Sequence, residues 1–159
     1  MDIQVRRRTL RLLTNGMYVM TSRDSEHYGA ATITWLSQAS FRPPLLMAAV
    51  RPESNVFKCL KNSGIAAVHV LGTDQQDTAM KFFASTRASD GQINGEPFTD
   101  GVTGAPVFTR LGAWVECRVV RIVETGGDHA LVIMEVVDAA CRAPVEPLTI
   151  ASSPWAYGG

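Results

Sequence analysis

The chain has 159 residues, 46% of them hydrophobic, with 15 lysines and arginines set against 15 aspartates and glutamates. That is material for a single domain, residues 1–159, with a core of its own, and the charge balance excludes nucleic acid and an anionic membrane surface as expected partners. No apolar run approaches the roughly 20 residues that span a bilayer. The first residues, charged from Asp2 onward, lack the apolar stretch of a signal peptide, so a cytoplasmic protein is expected.

In chain order, Arg6, Arg7 and Arg8 beside Leu10, Leu12 and Leu13 read as the polar side of a short amphipathic helix. Residues 17–21 and 30–36 are β-prone runs separated by the polar stretch 22–26, predicting two strands and a loop. After Pro43-Pro44, the apolar run 45–50 predicts a central strand buried on both faces. Residues 56–62 follow as a helix stopped by Ser63-Gly64. A strand over 65–71 contains His69, read as structural. A helix over 74–84 carries Ala79, Phe82 and Phe83 as its apolar stripe, with both phenylalanines assigned to the core. Residues 85–104, rich in glycine, serine, asparagine and aspartate, are expected to form a long surface loop or lid. Valine-rich alternation over 113–123 and 130–139, around Thr125-Gly126-Gly127-Asp128, predicts a long antiparallel hairpin. Strands outnumber helices and come in hairpins, so the fold is expected to be mainly β, a closed antiparallel barrel with peripheral helices.

Absent motifs narrow the chemistry. No glycine-rich dinucleotide loop follows a strand and no phosphate loop of the Walker type occurs. His27, His69 and His129 are not paired with cysteines or carboxylates at ligand spacing, so no metal site is expected. Cys59, Cys117 and Cys141 are widely spaced and read as reduced structural thiols.

Several segments recur together: Asn15-Gly16-Met17-Tyr18-Val19-Met20-Thr21, the run from Ala31 to Ser40, Pro43-Pro44-Leu45, Ser54 at a helix start, and Gly127-Asp128-His129. In this order they resemble the FMN-binding split-barrel family of flavin reductase-like proteins, in its flavoredoxin and NAD(P)H:flavin oxidoreductase branch. The resemblance covers nearly the whole chain. It implies an antiparallel split β-barrel of Greek-key type and a homodimer with FMN near the subunit boundary. It further implies hydride transfer to flavin from NADH or NADPH, with reduced flavin passing electrons to a monooxygenase or another acceptor. The alternatives are an FMN-binding electron carrier without a nicotinamide site, and a barrel that has lost its flavin.

The flavin contacts so implied are Thr32, Ile33, Thr34, Trp35, Ser37, Gln38, Val50, Arg51, Ser54 and Asn55, with His129 as the catalytic residue. Side-chain hydroxyls and an amide between Thr32 and Ser40 suit a ribityl chain or phosphate, although threonine also simply prefers strands and serine prefers loops. Arg51, Ser54 and Asn55 precede a helix start that would attract a phosphate, or they serve only as its cap. Relatives often carry a hydroxyl two places after the serine, where this chain has Val56; its replacement by threonine is expected to strengthen FMN binding. Trp35, Trp155 and Tyr157 are candidates to wall the ring, and His129, beside a tight turn, is placed to orient the donor or balance charge on reduced flavin.

Overall fold

A computed structural model describes residues Met1–Gly159. Seven strands form the main sheet: β1 (Tyr18–Arg23), β2 (Tyr28–Ile33), β3 (Leu36–Phe41), β4 (Pro44–Val50), β5 (Ile65–Val70), β10 (Ala113–Glu124) and β11 (Ala130–Cys141). Their order is β2-β1-β5-β10-β11-β4-β3, with every neighbouring pair antiparallel. The two edge strands, β2 and β3, are joined by Thr34 and Trp35 alone. In a flat sheet six spacings would hold them about 29 Å apart, whereas three peptide steps reach at most about 11 Å. The sheet therefore curls until its edges approach, and it stays open along that seam because β2 and β3 do not pair. The expected mainly β barrel is present; its closure is not.

Burial follows from the curl. Inside the barrel, Met20, Leu46, Val50, Val68, Val132 and Met134 meet Val56, Phe57 and Leu60 of helix α2 (Asn55–Ser63). Outside it, Val19, Leu71, Ala79, Phe82, Ile93 and Phe108 form a second cluster. Both faces of β1 and β5 are thus covered. The two-sided burial expected of 45–50 belongs to them instead: β4 lies one strand from the edge, alternating between buried Leu46, Ala48 and Val50 and the more open Leu45, Met47 and Ala49. Gly29 of β2 lies against the α2 backbone, where an added Cβ would clash with the main chain of Asn55 and Val56.

Three further expectations are corrected. Helix α1 (Ile3–Leu10) forms, capped by Asp2, but buries no residue, and Leu12 and Leu13 beyond it are exposed. Helix α3 spans only Gln76–Lys81, because its last carbonyls are taken by tertiary partners: Asn94 Nδ2 donates to Lys81 O at 2.8 Å and Thr32 N–H to Phe82 O at 3.2 Å. The stretch 85–104 is no structureless lid. It folds into β6 (Ala88–Ser89), β7 (Gln92–Ile93) and β8 (Glu96–Asp100), which with β9 (Pro106–Phe108) make a second sheet. The turns Asp90-Gly91 and Asn94-Gly95, each with two positive φ values, are the pairs that tight hairpins require.

The three cysteines are unpaired, and burial pushes the Cys117 thiol up to about 12, with the neighbouring Glu116 charge adding to it. No helix is long and apolar enough to cross a membrane.

His69 ties the two sheets together. Its Nε2 accepts the Phe108 N–H at 3.0 Å, so Nδ1 carries the proton and donates to Val19 O at 3.1 Å. Burial lowers its pKa from 6.5 to about 4. The unfolded chain therefore takes up this proton first as pH falls, so the stability it contributes is complete above about 6.5 and is lost between 6.5 and 4, by about 3 kcal/mol. Urea unfolding across that range should show this decline in the wild type and a flatter dependence in His69→Gln; equal slopes would contradict the assignment.

Candidate functional site

The seam where the sheet edges approach is a cavity of about 430 Å3. Thr32, Ile33, Thr34 and Trp35 of the β2–β3 connection line one side, and Val50, Arg51 and Ser54 line another. His129 enters at the start of β11, and Phe82, Phe83, Trp155 and Tyr157 complete the wall. Twelve of its 17 lining residues are hydrophobic and Arg51 alone carries a full charge. A larger cleft of about 1210 Å3 lies between α2 and the β6–β7 hairpin, open and lined by exposed charged residues such as Glu26, Lys58, Lys61 and Asp90. The smaller cavity is the better candidate, because an apolar site with a few convergent polar groups is what a ring-shaped ligand needs.

Its polar groups are unequally free. The Thr32 hydroxyl is spent on Ala79 O at 2.7 Å. Ser54 is the N-cap of α2: its hydroxyl accepts the Phe57 N–H at 3.3 Å and donates to Arg51 O at 2.7 Å. The Arg51 guanidinium lies 3.5 Å from Glu53 and is 56% exposed. Thr34 differs from these: its hydroxyl is buried and has no hydrogen-bond partner. An unpaired buried hydroxyl costs about 1–3 kcal/mol, so a partner delivered from the cavity would be bound favourably.

His129 is held from both sides. Nδ1 donates to Asp128 Oδ1 at 2.8 Å, and in the neutral ring Nε2 accepts from the Tyr157 hydroxyl at 3.2 Å. That hydrogen bond, followed by the imidazole charge, holds the Asp128 carboxyl below its ordinary range. Trp35 packs against both rings, 4.7 Å from His129 and 5.3 Å from Tyr157 between centroids, while Phe83 meets Trp155 edge-on at 5.1 Å.

Of the residues singled out from sequence, Thr32, Ile33, Thr34, Trp35, Val50, Arg51, Ser54 and His129 are brought together here. Three are not. Ser37 and Gln38 lie exposed on edge strand β3, the Ser37 hydroxyl satisfied by Gln38 O at 3.1 Å. Asn55 faces the larger cleft. Val56 is fully buried among the core residues of the barrel, so a hydroxyl there would meet apolar neighbours and no ligand. Phe83, assigned to the core, is 54% exposed at the cavity wall. Sequence reasoning missed Ile150, Ala156 and the Asp128–His129–Tyr157 chain, whose partners lie 28 residues apart with no periodic signal linking them.

Residues 10–153 match the family model described as a flavin reductase like domain. A flavin reductase (NADH) from Kitasatospora aureofaciens is 34% identical over 136 residues, 84% of this chain and 69% of that protein. Among solved structures, an NADH:FAD oxidoreductase from Streptomyces globisporus superposes with a TM-score of 0.79 at 27% identity, covering 92% and 86% of the two chains. The flavin reductase of styrene monooxygenase from Pseudomonas putida does so at 0.76 and 26%, covering 97% and 96%. Several curated relatives are longer, and the chain spans less than half of their length.

Two substitutions of opposite sign test the polar accounting. Thr34→Val removes an unpaired buried hydroxyl at nearly constant volume and should raise the unfolding free energy of the ligand-free protein by about 1 kcal/mol. Val56→Thr introduces one and should lower it by about 1–2 kcal/mol. Urea unfolding measures both, and a destabilising Thr34→Val would show that its hydroxyl is satisfied.

Proposed function

The chain belongs to the flavin reductase-like family, and from that premise we propose that it binds FMN in the seam cavity and reduces it with NADH. Reduced flavin then serves an acceptor such as a partner oxygenase. The largely apolar, aromatic lining of this cavity, with Thr34 and its unpartnered buried hydroxyl in the wall, carries this reading, because a flavin ring presents polar edge atoms within an apolar outline.

When bound, the flavin supplies the hydride acceptor. The chain's own residues bind and position. Thr34 offers a hydroxyl that can donate or accept. Trp35 and Phe83 provide apolar walls that exclude water, and Trp155 and Tyr157 line the cavity of the ligand-free protein. Arg51, the one charged lining residue, attracts the phosphate, although Glu53 competes for it. The Asp128 carboxylate fixes the His129 ring with its proton on Nδ1, which leaves Nε2, here engaged by the Tyr157 hydroxyl, as the ring's hydrogen-bond acceptor. A cytoplasmic location belongs to the same reading, in keeping with three unpaired cysteines.

The reading also includes a homodimer. Phe41 on β3, Met47 on β4, Val137 on β11 and Val120 on β10 expose apolar side chains on four neighbouring strands, Phe41 at 89%. Such a surface favours burial against a second copy.

Two measurements check these proposals. FMN should bind more tightly than riboflavin by about fivefold, near 1 kcal/mol, through Arg51, and the bound flavin should bleach anaerobically on addition of NADH. Bound flavin inert to NADH and NADPH alike would move the protein to the electron-carrier reading. Light scattering should return twice the 17.2 kDa chain mass, and Phe41→Asp should shift it toward a single copy; a wild-type mass of one chain would remove the dimer.

A further inference from the structure

The family match ends at residue 153, yet Trp155, Ala156 and Tyr157 lie beyond it and line the cavity. The last backbone hydrogen bonds of the tail join Ser152 N–H to Thr149 O and Ser153 N–H to Ile150 O. From Pro154 onward no backbone group bonds to another. The segment is attached by the Trp155 N–H to the Ser153 hydroxyl at 3.3 Å, by Arg11 Nε to Gly158 O at 3.0 Å, by Tyr157 to His129, and by ring contacts. Tyr157 is 42% exposed and the Arg11 link is at the surface. Attachment of this kind is characteristic of segments that open at low free-energy cost.

What the tail occupies matters more than how it is held. The Tyr157 ring packs on Trp35, and its hydroxyl takes the His129 nitrogen that Asp128 leaves free. In this arrangement both imidazole nitrogens are engaged, and a ring belonging to the chain itself sits at the Trp35–His129 position. Gly158, at φ 95°, lies beside the Trp35 indole, where an added Cβ would make ordinary contact at 3.6 Å.

We propose that the Pro154–Gly159 segment is a displaceable cover, in which Tyr157 stands in for a planar heteroaromatic ring at Trp35 and His129 and must withdraw before such a ring can take that place. The inference rests on the flavin reading of the cavity and adds to it a competition between the chain and its own ligand. Tyr157 positions the His129 imidazole in the closed form, and its departure frees Nε2. The apparent affinity for the entering ring is then reduced by the fraction of molecules that are open, so loosening the cover strengthens binding. A fixed wall would behave in the opposite way.

The sign of the change is the test. FMN and NAD+ are titrated separately into wild type, Arg11→Ala, Tyr157→Phe and Tyr157→Ala, with flavin fluorescence and intrinsic tryptophan fluorescence as readouts. A closed form outnumbering the open one by about three to ten predicts that Arg11→Ala and Tyr157→Ala bind the displacing ring about three- to tenfold more tightly. Tyr157→Phe, which keeps the ring and loses the hydroxyl, should fall between them and wild type. Tightening confined to FMN assigns the covered position to the flavin, and tightening confined to NAD+ assigns it to the nicotinamide. Hydrogen exchange on the wild type gives the same sign independently: the Trp155 amide, the hydrogen-bonded N–H of the tail, should exchange faster once the displacing ligand saturates. Weakened or unchanged binding in the variants, or protection of that amide, would overturn the cover while leaving the flavin site standing. Failure of every form, wild type included, to bind FMN would overturn the flavin reading and the cover with it.

Discussion

The two-residue connection between β2 and β3 constrains everything else in this molecule. Thr34 and Trp35 link strands at opposite edges of a seven-stranded sheet, so the sheet curls, and since the edges do not pair, the curl leaves a gap at the connection. The residues that force the gap also line it. A buried unpaired hydroxyl and a half-buried indole are therefore located at the seam by topology, and the aromatic residues of α3's end and of the tail close over them.

The same logic separates the two cavities. The larger one is where two exposed surfaces face each other, and its charges have water as an alternative partner. The smaller one is where the sheet cannot complete itself, and Thr34 there has neither protein partner nor solvent. Size alone would choose the other cleft. An apolar lining and an unmet hydrogen-bonding group favour the seam.

Much of this was legible in the sequence where local chemistry is strong. The long hairpin β10–β11, helix α2 with its Ser54 cap and Gly64 stop, and the barrel's mainly β character follow from alternation, capping and turn residues. The misreadings have physical causes. The apolar run 45–50 cannot reveal whether its outer face is covered, because that depends on which strands become neighbours. The short strands within 85–104 were hidden by glycine and asparagine that looked like loop composition, although Asp90-Gly91 and Asn94-Gly95 were the turn pairs themselves. At the site, Thr34 and His129 lie together at the seam cavity, whereas Ser37 and Gln38 are exposed on β3 and Asn55 lines the larger cleft. The pairing of His129 with Tyr157 depends on where the tail lies, which no local pattern encodes.

The central claim is that the seam cavity, and not the larger cleft, receives the flavin. A crystal structure of the protein grown with FMN tests it most directly. The account predicts the flavin ring in the seam cavity, against Trp35 of the β2–β3 connection, with a polar edge atom within hydrogen-bonding distance of Thr34 Oγ1. A flavin seated between α2 and the β6–β7 hairpin, with the Thr34 hydroxyl still unpaired, would contradict it.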